Sequence, residues 1–152
     1  MKEKKTITKS YKELIFRRVP KTIRLLLLKL HEGAPTGIFN QPGQGVKFLT
    51  EHFGRLSDFP GIYVVVSSRG KPRVIRQSKN VLRDIQRFVR CKRNKDVRAF
   101  LHLGEEYGER SIEHGEKIMS RQFVIWIEVA SEIERRLIVR LLQSKWKNFL
   151  IG

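Results

Sequence analysis

Three arginines, Arg83, Arg87 and Arg90, recur at i, i+4 and i+7 and so fall along one side of a helix. Against them Leu82, Ile85 and Val89 repeat at i, i+3 and i+7, the apolar stripe that such a helix buries. Guanidinium groups aligned on a solvated face bind phosphate through charge and through a planar fork of donors. Arg69, Lys71, Arg73, Arg76, Lys79, Lys92, Arg93, Lys95 and Arg98 carry the same sign to either side, opposed only by Asp84 and Asp96. Other reactive groups are sparse. His102 and His114 belong to no spaced ligand cluster and read as structural or surface groups. Cys91 has no histidine or acid beside it to activate a thiolate, so it reads as a small filler on a helix. Glu134 follows Ser131 at the Ser-x-x-Glu spacing of a capping box, and Tyr63 lies in a β-branched run that reads as strand.

The whole-chain charge agrees with the local one. Of 152 residues, 31% are charged, yet the net charge is +17, an imbalance that costs self-repulsion unless a polyanion neutralises it. A nucleic acid does this by exchanging condensed counterions for Lys and Arg. The dense apolar run Leu25 to Leu28 is flanked by Arg24 and Lys29 and is far short of the ~20 residues of a membrane span. No membrane is expected as a partner. The charged N-terminus has no apolar core of a secretory signal, and one cysteine allows no internal disulfide. The expected setting is intracellular, cytoplasmic or nucleoid-associated.

The elements that must hold these groups are legible in outline. Ser10 and Glu13 suggest a capping box opening a short helix over Tyr11 to Arg18, and Pro20 starts a second, largely buried helix over Lys21 to Glu32. Residues Gly33 to Gly45 read as loop, and Val46, Phe48, Leu49 and Phe53 as a short helix. Residues 1–58 form an N-terminal helical extension whose Lys2, Lys4, Lys5, Lys9, Lys12, Arg17 and Arg18 are within reach of a phosphate backbone. Residues 59–152 form the main unit, and the whole is one compact body. There Ile62 to Ser67 is a strand buried on both faces, Ser68 to Lys71 a tight turn, and Pro72 to Arg76 the returning strand. The arginine helix follows, then two helical pieces from Asp96 to Met119 broken near Gly108. Gln122 to Val129 is the strongest strand, and a last helix from Ser131 packs Ile133, Leu137, Ile138, Leu141 and Leu142 inward. The fold class is α+β, a small central sheet of a hairpin plus one further strand flanked by helices.

Hairpin, helix, helices, strand and helix in this order, with Gly61-Ile62-Tyr63 opening the first strand, resemble the GIY-YIG nuclease superfamily over roughly residues 59–148. Gln77-Ser78-Lys79-Asn80 stands where that family has its Ser-x-Asn type segment, and Ile133-Glu134-Arg135-Arg136-Leu137-Ile138 matches the setting of its essential glutamate. Asn148 answers to the asparagine near the family's end. Val74-Ile75-Arg76 replaces Tyr-Ile-Gly, and the family arginine falls on Asp84.

The resemblance implies an endonuclease that hydrolyses DNA phosphodiesters with a divalent metal, Mg²⁺ or Mn²⁺. Glu134 would hold the metal, Tyr63 would assist attack, and Arg76 or Arg83 would stand in for the missing arginine. Arg69, Lys71, Arg73, Lys79, Arg87, Arg90, Lys92 and Arg93 are the expected nucleic-acid-binding residues, with DNA the expected partner. The alternative is a degenerate member that binds nucleic acid without cleaving it.

Overall fold

The computed structural model describes residues 12–151. Ser10 and Tyr11 of the expected first helix, and Lys2, Lys4, Lys5 and Lys9, lie outside the described residues. The architecture is α+β, a four-stranded antiparallel sheet with helices on both faces. Its strands are β1 (Ala34–Pro35), β2 (Gly61–Val66), β3 (Pro72–Ser78) and β4 (Phe123–Glu128), in the spatial order β1-β4-β2-β3. The helices are α1 (Val19–Leu28), α2 (Val46–His52), α3 (Val81–Val89), α4 (Asn94–Glu106), α5 (Ile112–Met119) and α6 (Glu132–Lys145). Among the described residues no helix is long and apolar enough to cross a membrane.

The alternation of a pleated strand sorts the core into two layers. Tyr63 and Val65 of β2, Val74 of β3 and Val124 of β4 point to one face, where α3, α4 and α5 supply Leu82, Ile85, Phe88, Phe100 and Met119. Ile62, Val64 and Val66, with Ile75 and Ile125, point to the other, under Leu26 of α1 and Ile138 and Leu142 of α6. Every side chain of β2 is buried, as its unbroken β-branched run implies. Gly61 is required by packing: a Cβ there would lie 2.2 Å from the Ile127 carbonyl oxygen of β4. Gly115 lets α5 cross α4 closely, since its Cβ would meet the Phe100 carbonyl oxygen at 2.1 Å.

Several expectations need correction. The sheet has a fourth strand inside the segment read as loop: Ala34 and Pro35 pair with Val124 and Phe123, and Thr36 fixes them by donating from Oγ1 to the Met119 carbonyl at 2.6 Å. The two expected N-terminal helices run together. A π-turn over Leu14–Arg18, closed by Val19 N–H to the Leu14 carbonyl, leads directly into α1, and Pro20 stands in the first turn of α1, where its missing N–H costs no intrahelical bond within α1. Nor is α1 largely buried: Leu26 is fully covered, whereas Leu25 and Leu28 are 44% and 70% exposed. On α6, Ile138 and Leu142 face the sheet but Ile133 and Leu141 face solvent. The N-terminal segment contributes to both layers, through Val19 and Leu26 on one and Phe39 and Leu49 on the other.

Candidate functional site

Tyr63 and Arg76 are directly opposed across the β2–β3 ladder, so their side chains leave the sheet on the same face. That face is roofed by α3 and by the start of α4. The Arg76 guanidinium lies 4.6 Å from the centre of the Phe88 ring and donates to Asp96 Oδ1 at 2.6 Å. Asp96 is fully buried, and its second oxygen has no partner. Tyr63 is likewise buried, and its Oη has no hydrogen-bond partner. Beside them Asp84 is paired with Arg93. Two acids and two arginines thus surround a buried phenol, with the charges matched in pairs.

Burial pushes the Tyr63 phenol well above the ordinary tyrosine range; Arg76 acts against this, while Asp84 and Asp96 act with it. The group is therefore neutral at physiological pH and is not poised as a tyrosinate. Burial alone pulls Arg76 down, but its neighbours Tyr63 and Asp96, the latter through a hydrogen bond and its charge, outweigh this and the guanidinium is held more firmly protonated. The pair presents a fixed positive charge beside a neutral phenol.

Glu134 is elsewhere. It lies at the first turn of α6, the helix that covers the Ile62 and Val64 face, so the sheet separates it from Tyr63. Its backbone N–H donates to Ser131 Oγ at 3.3 Å, and its Oε1 accepts from Thr22 Oγ1 of α1 at 3.3 Å. Next to it Arg135, also buried, donates to Gln77 Oε1 and to the Val129 and Ala130 carbonyls. The Ile133–Ile138 segment works as a clamp that starts α6 and ties it to β3, β4 and α1. Glu134 is buried, its Oε1 accepts from Thr22, and it belongs to no group of three or more His, Cys, Asp or Glu side chains that could hold a metal ion among the described residues. Arg83 points to solvent and is not brought to Tyr63. Of the four residues expected to be catalytic, only Tyr63 and Arg76 meet.

The expected binding residues divide into two groups. Arg73 pairs with Glu106, Arg93 with Asp84, and Arg90 donates to the Gln41 and Gln44 carbonyls at 2.9 and 2.8 Å, so these three hold the fold. Arg69 and Lys71 at the hairpin tip, Lys79 after β3, Arg83 and Arg87 on α3, and Lys92 beyond it are exposed and enter no ion pair among the described residues. The acids able to neutralise them are spent. Asp84 and Asp96 are paired, and Asp58 caps α3 by accepting from Leu82 N–H and Arg83 N–H at 2.9 and 3.0 Å. Arg83 and Arg87 on α3, with Lys79 before it and Lys92 after it, keep positive charge for an external partner, and Arg69 and Lys71 add further exposed charge at the hairpin tip.

The remaining candidates carry structural roles. His102 sits 3.3 Å from Glu106 and His114 contacts the Tyr107 carbonyl at 3.3 Å. Cys91 is not on the helix but in the turn after it, at φ 52°, and burial, with Asp96 and Glu116 nearby, pushes its thiol up and away from reactivity. One feature escaped the residue-by-residue reading. A cleft of about 550 Å³ opens along the outer edge of β3, lined by Arg76, Asn94, Lys95, Arg98 and Gln143. Lys95 and Arg98 fall three apart on α4, a signal present in the sequence, but Gln143 arrives from α6 with no local cue. Comparison with protein families, with characterised proteins and with solved structures gives no match.

Proposed function

We propose that this chain binds nucleic acid, DNA first, through the exposed cations of α3 and of the hairpin tip, on a GIY-YIG-like scaffold that does not cut the phosphodiester bond. The observation that carries this reading is the set of exposed cations Arg69, Lys71, Lys79, Arg83, Arg87 and Lys92, none in an ion pair among the described residues while Asp84, Asp96 and Asp58 are occupied. Exposed cations left without partners among the described residues, in a protein of net charge +17, match the regular negative charge of a phosphate backbone. The GIY-YIG likeness is supported by the element order from the β2–β3 hairpin through α3, α4 and α5 to β4 and α6.

Binding without hydrolysis is favoured because the two groups the reaction would need are kept apart. Tyr63 is buried and neutral beneath α3, and Glu134 is locked to Thr22 on the opposite face of the sheet. The test is a gel shift of duplex DNA at low salt beside a plasmid-nicking assay with Mg²⁺ and with Mn²⁺. Retarded duplex and intact plasmid are expected. Nicking that disappears in Glu134→Ala would establish the endonuclease reading instead.

A further inference from the structure

The cleft on the outer edge of β3 is distinct from the exposed face of α3, and its shape and charge call for a smaller ligand than a duplex. We propose that it binds a nucleotide phosphate monoester, with Arg76, Lys95 and Arg98 taking the phosphate and Asn94 and Gln143 meeting the sugar or base. A volume of about 550 Å³ is that of a small-molecule site and suits one nucleotide. Three cations line it, and among the described residues no carboxylate does. Lys95 and Arg98 are exposed and unpaired among the described residues, so they are available to an anion.

Arg76 differs from the other two in being preorganised. Asp96 and the Phe88 ring fix its guanidinium, and its side chain remains 24% exposed. An arginine so held loses little conformational freedom when its remaining donors take a phosphate oxygen. The strand edge adds to the site. At the edge of β3 the Arg73 carbonyl accepts from the Ile151 N–H at 2.8 Å, and Val74 and Ile75 line the cleft beside it. A dianionic monoester gains more from three convergent cations than a backbone diester does, because it carries the greater charge.

The ligand has two possible sources, the phosphorylated end of a nucleic-acid strand or a free mononucleotide, and the first of these rests on the nucleic-acid reading above. Fluorescence anisotropy of single-stranded oligonucleotides carrying a terminal phosphate or a terminal hydroxyl, and calorimetry with adenosine monophosphate, separate the two. A strand end as ligand gives about tenfold tighter binding of the phosphorylated oligonucleotide, the effect of one lost charged hydrogen bond. A free nucleotide as ligand gives adenosine monophosphate binding with no end preference. Either signal is expected to vanish in Lys95→Ala/Arg98→Ala and to persist in Lys47→Ala, an exposed lysine on α2 outside the cleft. Equal binding of both oligonucleotides together with no calorimetric signal overturns the cleft proposal, while oligonucleotide binding in that same experiment leaves the α3 face standing. Conversely, adenosine monophosphate binding without any oligonucleotide or duplex binding keeps the cleft and removes the nucleic-acid reading. A signal that survives Lys95→Ala/Arg98→Ala also overturns it.

Discussion

Arg76 stands opposite Tyr63 in the β2–β3 ladder, and its charge is answered by Asp96, not by the phenol. Asp96 is wholly buried while Arg76 is 24% exposed, so the carboxylate depends on the arginine more than the reverse. Removing one partner strands a buried charge and costs about 3–5 kcal/mol. Arg76→Ala is therefore expected to lower the chemical-denaturation midpoint steeply. The combined Arg76→Met/Asp96→Leu change is expected to recover most of that loss. Equal destabilisation by the single and double changes would contradict the pairing.

Tyr63→Phe is expected to be neutral or stabilising by about 1 kcal/mol, because the buried Oη has no partner and removing it relieves an unsatisfied polar group. It also changes the alkaline limb. A phenol whose folded pKa lies above its unfolded value contributes stability below the free-tyrosine value of 10.0, and that contribution is lost as pH rises above it. Denaturation curves from pH 8 to 11 should fall for the natural protein and flatten for Tyr63→Phe. A large loss of stability in Tyr63→Phe at neutral pH would show that the hydroxyl has a bonded role.

Asp58 is an unusual cap in that it sits well before α3 in sequence, yet accepts from Phe59, Leu82 and Arg83 N–H groups. Asp58→Ala is expected to cost about 0.5–2 kcal/mol, the ordinary effect of losing an N-terminal cap. Asp58→Asn should retain part of it. Thermal melts of the two variants measure this directly, and an unaffected melting temperature in Asp58→Ala would remove the capping assignment.

The sequence makes the hairpin, α3 and β4 readable because each has a strong period and a clear stop. Gly70 at φ 79° makes the turn, Leu82, Ile85 and Val89 mark the inner face of α3, and alternation along 123–129 separates the two faces of β4. β1 is invisible because two residues have no period; Gly33 and Pro35 read as loop, and only the antiparallel match to β4 makes them strand. Ile133 and Leu141 fit a helical stripe in type, but the stripe that meets the sheet is centred on Ile138 and Leu142. The candidate site was half legible. Charge sign and the outward face of Arg83 and Arg87 follow from spacing, whereas the capture of Arg73, Arg90 and Arg93 by distant acceptors follows only from tertiary contact. Motif spacing alone placed Glu134 with Tyr63; the strand parity of β2 and the packing of α6 put them on opposite faces.

The central claim is that the cations on the hairpin tip and α3 bind a phosphate backbone. Its most direct test is the salt dependence of duplex DNA affinity, measured by fluorescence anisotropy for the natural chain and for Arg83→Glu/Arg87→Glu. Binding through about four phosphate contacts gives a slope of log K against log salt near −3.6, and charge reversal at two exposed positions should reduce both affinity and slope with no change in fold. An affinity that is undetectable at about 50 mM salt, or a slope near zero that the double change leaves unaltered, would contradict it.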